Sequence, residues 1–130
     1  MKKTVIITGA SSGIGASTAL LLSKNNYNVV LAARRKSKLE AIAKKLEGDY
    51  LLVETDVCSI SDVENLVSKT IEKFGTIDVL INNAGISMRA PFEDVEIGVL
   101  EEVINVNYWG AVYCTQAALP ELLKNKGSLV

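Results

Sequence analysis

The sequence contains no histidine and only two cysteines, Cys58 and Cys114, which lie far apart and form no Cys-x-x-Cys pair. Protein metal sites usually combine clustered histidine and cysteine ligands, so we expect no metal ion and two free thiols. Fourteen basic residues against fifteen acidic ones give a net charge of −1, which supplies no excess positive field for nucleic acid or an anionic membrane. No stretch reaches the ~20 consecutive apolar residues that cross a bilayer. These absences predict a cytoplasmic protein that has neither nucleic acid nor a membrane as its partner.

The 130 residues are 48% hydrophobic, which is enough for one domain with its own core. Short apolar runs alternate with longer stretches of helical period, and this alternation is typical of βαβ units in a parallel sheet. The predicted strands cover residues 4–8, 28–33, 50–54 and 77–81, with a fifth beginning at 127–130. No linker or internal repeat marks a second domain, so the pattern predicts a single α/β domain.

The helices are predicted from apolar spacing and from the residues that begin or end a helix. Ser59 or Ser61 can cap the third helix, and Gly75 can end it. Pro120 is expected to kink the last turns of the final helix. The predicted helices cover about residues 13–25, 39–46 and 59–74, a short segment from about 95, and about 104–124.

A glycine-rich turn follows the first predicted strand, with Gly9, Gly13 and Gly15 in the spacing G-x-x-x-G-x-G. Gly9 permits a tight turn, Gly13 lets backbone N–H groups approach a phosphate, and Gly15 lets the helix lie close to the sheet. The positive end of the helix dipole adds to the attraction for an anion. The turn therefore predicts a site for the pyrophosphate of a dinucleotide.

The same segment also fits the G-x-S-x-G turn of α/β hydrolases, in which Ser11 would be the nucleophile. That mechanism needs a histidine to accept the serine proton, and the sequence has none, so we reject it. A Walker phosphate loop would need a lysine directly after the last glycine, where Ala16 stands instead.

Four motifs together resemble those of the short-chain dehydrogenase/reductases. They are the turn Thr8-Gly9-Ala10-Ser11-Ser12-Gly13-Ile14-Gly15, the pair Asp56-Val57, the segment Asn82-Asn83-Ala84-Gly85, and Asn107-Tyr108-Trp109-Gly110. The resemblance extends over the whole chain. It implies a Rossmann-like, doubly wound parallel sheet in three αβα layers, of which residues 1–130 would form an incomplete NADP-binding domain truncated after the start of strand five.

The resemblance also assigns roles to individual residues. Asp56 would accept a hydrogen bond from the adenine amino group, the backbone of Val57 would face the adenine ring, and Asn82 would tie neighbouring strands together. Asn107 would be the catalytic asparagine that distorts the long helix and holds a water in the proton relay. The alternatives are a turn or capping aspartate at Asp56 and an ordinary mid-helix asparagine at Asn107. The expected cofactor-binding residues are Gly9, Ser11, Ser12, Gly13, Ile14, Gly15, Arg34, Arg35, Asp56, Val57, Asn83, Ala84 and Gly85.

The end of the second strand indicates which nicotinamide cofactor is bound. NAD enzymes place an aspartate or glutamate there to bind the ribose 2′-hydroxyl, whereas this sequence has Arg34, Arg35 and Lys36. Cations attract a 2′-phosphate, so we expect NADP rather than NAD, with Arg34 as the main contact and Ser12 and Arg35 assisting. The alternative is a solvated run of charge at a helix start, where the helix dipole disfavours it.

The serine and the Tyr-x-x-x-Lys pair that carry the family's chemistry do not occur in these residues. We therefore expect the cofactor-binding half of an NADP-dependent oxidoreductase acting on an alcohol or carbonyl substrate, inactive alone. One alternative is a non-catalytic NADP-binding or regulatory module that associates with a full-length relative, and another is a remnant without a ligand. The resemblance further implies an exposed sheet edge, since the family's later strands would be missing, and the long helix resembles the family's dimer helix, so we expect self-association or a homo-oligomer.

Overall fold

Five parallel strands form one sheet in the order β3-β2-β1-β4-β5 in the computed structural model, which describes all 130 residues. The strands are β1 (Thr4–Thr8), β2 (Asn28–Ala33), β3 (Tyr50–Glu54), β4 (Val79–Ile81) and β5 (Ser128–Leu129). The helices are α1 (Gly13–Lys24), α2 (Lys36–Ala43), α3 (Ile60–Phe74), α4 (Ile97–Ile104) and α5 (Gly110–Lys124), with a 3₁₀ turn at Phe92–Asp94 and a π turn at Asn105–Trp109. None of these helices combines the length and apolar character needed to cross a membrane.

Helices cover both faces of the sheet, because the central strands are apolar on both sides. On β1, Ile6 packs with α3 and α5 in one cluster, while Val5 and Ile7 pack with α1 and α2 in another. Alternate residues of β2 divide in the same way, as the two-residue period of a strand requires. The three-layer, doubly wound parallel fold expected from the sequence is confirmed.

The boundaries of β1, β2 and β3 agree with the predicted strands. Helix α3 also follows its prediction, since the Ser59 side chain accepts a hydrogen bond from the Asp62 N–H at 3.2 Å. Gly75 ends this helix in the left-handed region, at φ +75°. A serine cap and a glycine stop are among the strongest local signals for helix ends.

Three predicted segments differ from the structure. Helix α2 ends at Ala43, so Leu46 lies beyond it, although Leu46 still packs against the core. Strand β4 begins at Val79, and the fully buried Ile77 precedes it. The long helix predicted from about Ile104 to Lys124 is a regular α-helix only from Gly110, because Asn105–Trp109 form the π turn that joins α4 to α5. Each difference concerns the end of an element and not its presence, and element ends are the parts of secondary structure that local patterns define least well.

Candidate functional site

The glycine-rich turn joins β1 to α1 at the carboxyl edge of the sheet. Gly9 has φ +63°, and a Cβ there would lie 2.7 Å from the Ala84 Cα. A Cβ at Gly15 would lie 2.5 Å from the Gly9 carbonyl oxygen. Both positions therefore need glycine, the first for its conformation and for space, and the second for space alone. The result is a turn packed closely against the loop after β4.

The free N–H groups at the N-terminus of α1 have neither a capping side chain nor an acidic residue beside them. Ser12 is extended, at φ −160°, and its hydroxyl makes no capping bond. The first turn also contains no acidic residue. Because exposed N–H groups and the helix dipole favour negative charge, this end of α1 is suited to an anionic ligand.

Thr8 and Asn83 tie the glycine turn to the loop after β4. The Thr8 hydroxyl accepts hydrogen bonds from the Asn83 and Ala84 N–H groups, both at 3.0 Å. In return, the Asn83 Nδ2 donates to the Thr8 and Gly9 carbonyl oxygens at 3.1 Å. Four hydrogen bonds thus fix the two loops relative to each other.

Asn82 joins two parts of the sheet and its covering helix, since its backbone N–H donates to the Val130 carbonyl oxygen beside β5 at 2.8 Å. Its Nδ2 donates to the Thr115 hydroxyl on α5 at 3.0 Å. Its Oδ1 is buried without a partner. The side-chain tie at the end of β1 is made by Asn83 instead, because Asn83 and not Asn82 points towards the glycine turn.

Arg34, Arg35 and Asp56 lie at the ends of β2 and β3 and contribute the charge of the site. Neither arginine forms a salt bridge, since Lys2 and Asp49 form the only ion pair in the structure. The first turn of α2 contains no acidic residue. Asp56 Oδ1 accepts a hydrogen bond from the Cys58 N–H at 2.9 Å, so Asp56 shapes its own turn. The β2 end of the site is therefore cationic and free of an internal counterion.

The two cysteines differ in their position relative to this site. Partial burial, with the neighbouring Asp56 carboxylate, raises the pKa of the Cys58 thiol, although Arg34 opposes the shift. Burial alone raises the pKa of Cys114 to about 11. Both thiols are therefore protonated at neutral pH and poor nucleophiles.

Asn107 lies in the π turn and holds the loop after β4 from the other side. Its Oδ1 accepts a hydrogen bond from the Ile86 N–H, and its Nδ2 donates to the Ile86 carbonyl oxygen, both at 2.8 Å. The regular helical hydrogen bonding is interrupted here, since the Gly110 N–H donates to the Asn105 carbonyl oxygen, five residues back. π turns of this kind often occur at functional sites.

These elements surround a cavity of about 330 Å³ lined by 14 residues. Most of the expected cofactor-binding residues line it, but Gly13, Ile14 and Gly15 do not. The side chain of Ile14 is 79% exposed. The lining residues that the sequence reasoning missed are Ala33, Thr55, Ile86 and Val106. Ala33 and Thr55 each adjoin a predicted site residue at a strand end, and this adjacency is the one sequence feature from which they could have been predicted. Val106 lines the cavity only because it lies in the π turn.

Comparisons with known proteins agree with this geometry. A family model described as short chain dehydrogenase matches residues 3–130. The 11-beta-hydroxysteroid dehydrogenase-like 2 protein of Arabidopsis thaliana is 40% identical over 133 residues, which cover 98% of this chain and 43% of that protein.

Two solved structures superpose closely on the chain. An alcohol dehydrogenase from Thermococcus sibiricus, complexed with 5-hydroxy-NADP, has a TM-score of 0.90 at 32% identity and covers 99% of this chain and 57% of its own. A 3-ketoacyl-(acyl-carrier-protein) reductase from Brucella melitensis, complexed with NADH, has a TM-score of 0.91 at 33% identity, covering 95% and 51%. This chain spans about half the length of the relatives it matches. With these motifs, this fold and a family match over nearly every residue, the chain belongs to the short-chain dehydrogenase family of oxidoreductases.

Proposed function

We propose that the cavity binds NADP(H), with its pyrophosphate at the N-terminus of α1. The observation that carries this proposal is the uncapped helix end at Ser12, beside a cavity edge where Arg34 and Arg35 have no acidic partner. A dinucleotide with a 2′-phosphate brings negative charge to both places. The fit is further supported by Gly9, Ser11 and Ser12 of the turn, all of which line the cavity.

The order of the strands supports one orientation for the cofactor. In doubly wound sheets the residue at the end of the second strand contacts the adenosine ribose. Adenosine therefore lies on the side of β2 and β3, where Arg34, Asp56 and Val57 line the cavity. Nicotinamide lies on the side of β4, near Gly85 and Ile86.

The preference for NADP over NAD rests on the charge of this chain. Of the two related structures described above, one carries an NADP derivative and the other NADH, so the fold accommodates both. A carboxylate that would bind the 2′-hydroxyl is absent after β2, where Arg34, Arg35 and Lys36 follow Ala33. Guanidinium groups pair with phosphate in bidentate geometry, so they favour the phosphorylated ribose.

The reaction we propose is hydride transfer between nicotinamide and an alcohol or carbonyl substrate of small molecular size. The cofactor supplies or accepts the hydride when it is bound. Residues of this chain bind and orient it, and the loop that carries Gly85 and Ile86 is held in place by Asn107. Because both polar atoms of the Asn107 side chain bond to Ile86, we assign the contribution of Asn107 to the proton relay to the backbone of the π turn, where a water can be held.

Titration of the full chain with NADPH and NADH tests the proposal. We expect NADPH to bind more tightly, and Arg34→Ala to weaken NADPH binding roughly 10- to 100-fold, the effect of losing a charge-assisted hydrogen bond. NADH binding should change little in the same variant. Lys44→Ala is the matched control, because it removes a cation at the far end of α2 and should alter neither affinity.

Two results would overturn the proposal. Tighter binding of NADH than of NADPH would contradict the assignment to NADP. No binding of either nucleotide to the full chain would contradict the cofactor site itself.

A further inference from the structure

Helix α5 begins at Gly110 in direct contact with Val57, which lines the cavity on the side where we propose that adenine binds. A Cβ built on Gly110 would lie 2.6 Å from the Val57 Cγ2 and 3.1 Å from the Val57 Cβ. Carbon atoms in contact are normally about 3.5–4.0 Å apart. The start of α5 therefore approaches the loop after β3 more closely than any residue with a side chain would permit.

Rotation of the Val57 side chain would not make room for a larger residue at position 110. Its β-branched side chain has few allowed rotamers, and the approach to the Val57 Cβ does not depend on the rotamer. Val57 is also only 7% exposed and packs in the same core cluster as Cys114 and Ala118. An added methyl group would have to displace the Val57 backbone or the end of the helix.

Helical propensity gives no reason for glycine at this position. Among the common residues only proline is a poorer helix former, and Gly110 lies inside a continuous helical path from α4 to α5. Gly98, the other glycine on this path, has no atom within 4 Å of the point that a Cβ would occupy. The close contact distinguishes Gly110 and accounts for its presence.

The π turn before Gly110 connects the two ends of the cavity. On one side, Asn107 in this turn holds Ile86 on the nicotinamide side. On the other, the helix that leaves the turn meets Val57 on the adenine side. Val106, within the turn, lines the cavity between them. One short segment thus contacts both walls of the site.

We propose that Gly110 is a positioning residue for cofactor binding, because its missing side chain lets α5 seat Val57 at the adenine ring. The inference rests on the proposed binding of NADP(H). A side chain at position 110 would push Val57 out of place, or push the π turn away from it, and either movement changes the width of the adenine site. Gly110 acts through Val57 and has no contact of its own with the nucleotide.

Nucleotide titrations of variants of the full chain test this proposal. Gly110→Ala should weaken both NADPH and NADH roughly tenfold, since a displaced wall loses apolar contact with the adenine that both share. The ratio of the two affinities should stay unchanged, in contrast to Arg34→Ala, which alters it. Nicotinamide mononucleotide, which has no adenine, should bind Gly110→Ala and the wild type equally. Gly98→Ala is the matched control and should bind as the wild type does.

The double variant Val57→Ala/Gly110→Ala separates this mechanism from general destabilisation. If Gly110 acts through Val57, Gly110→Ala costs much less affinity in the Val57→Ala background than in the wild type, because removal of the Val57 methyl groups eliminates the 2.6 Å contact and leaves only the 3.1 Å approach to the Cβ. A full additional loss from Gly110→Ala in the Val57→Ala background would overturn the proposal. The same conclusion follows if the double variant fails to fold.

The outcome for the wild type distinguishes the two proposals. Wild-type binding of NADPH with no change in Gly110→Ala would refute the role of Gly110 and leave the proposed function intact. Absence of wild-type binding would refute the proposed function.

Discussion

Asn107 and Ile86 are joined by two hydrogen bonds of 2.8 Å, in which one side-chain amide satisfies both backbone groups of a single loop residue. The two residues lie 21 positions apart. This pairing fixes the loop after β4 to the π turn, while Thr8 and Asn83 fix the same loop to the glycine turn. The loop is therefore held from both sides without a regular strand or helix of its own.

Replacement of Asn107 by leucine should free the Ile86 backbone. Both hydrogen bonds are lost, so we expect amide exchange at Ile86 to accelerate roughly tenfold, the effect of about one net hydrogen bond. Asn107→Asp keeps the acceptor and should show an intermediate rate. Exchange measured residue by residue provides the test, with Asn105→Ala as a control in the same turn. Unchanged protection of Ile86 in Asn107→Leu would show that the pair does not hold the loop.

Thr8→Val should destabilise the protein more than its similar volume suggests. The Thr8 hydroxyl accepts from two N–H groups and donates to the Ile81 carbonyl oxygen. Valine leaves these partly buried donors without an acceptor, at a cost of about 2–3 kcal/mol in the free energy of unfolding. Thr8→Ser retains the hydroxyl and should recover most of that loss in urea denaturation. Equal stabilities for the two variants would contradict this account.

Gly9→Ala and Gly75→Ala form a matched pair at left-handed positions. The φ angles are +63° and +75°, and only at Gly9 would a Cβ meet another backbone, that of Ala84. Backbone strain of about 1–2 kcal/mol applies to both variants. We expect Gly75→Ala to show that loss and normal nucleotide binding, and Gly9→Ala to be still less stable and to lose binding. Thermal unfolding measures the loss of stability, and NADPH titration measures the loss of binding. Equal stability and equal NADPH affinity in the two variants would refute the steric conflict between a Cβ at position 9 and the Ala84 backbone.

Cys114 should make stability fall with pH in the alkaline range. Burial raises its pKa from 9.0 to about 11 in the folded state, so its contribution is complete below pH 9 and is lost as pH rises towards 11. The slope from this one group approaches about 1.4 kcal/mol per pH unit. Cys114→Ala should have a shallower dependence of unfolding free energy on pH between 9 and 11. Cys58→Ala serves as the comparison. If the unfolding free energy of Cys114→Ala falls with pH as steeply as that of the wild type, the buried Cys114 thiol is not the cause of the pH dependence.

Local signals determine the parts of the fold that the sequence predicts well. Strands β1, β2 and β3 are apolar runs ended by turn-forming residues, and Ser59 and Gly75 mark the two ends of α3. The π turn has no comparable local pattern in the sequence, because it adds one residue within a continuous helical path and leaves the apolar spacing of α4 and α5 intact. The role of the π turn at the site depends on the contact between Asn107 and Ile86, 21 residues earlier, and hydrophobic periodicity carries no information about such a distant contact.

The residues of the candidate site also fall into two groups, those that local sequence patterns predict and those that they do not. Arg34, Asp56 and Asn83 follow directly after strands, and parallel strands bring their carboxyl ends to one edge, so polar residues there can be recognised from the sequence. Ile86 and Val106 are apolar and become part of the cavity only through tertiary contacts. The partner of Asn82, Thr115, lies 33 residues away on a helix, and no local pattern connects them.

The central position of β1 has a consequence for synthesis of the chain on the ribosome. Its residues pair on one side with β2 and on the other with β4, and the Thr4 N–H bonds to Asp78, 74 residues later. While translation proceeds from β2 to β4, one edge of β1 is open to pairing with other chains. Chaperone capture and aggregation of nascent chains should therefore be greatest in this interval and subside once β4 has emerged.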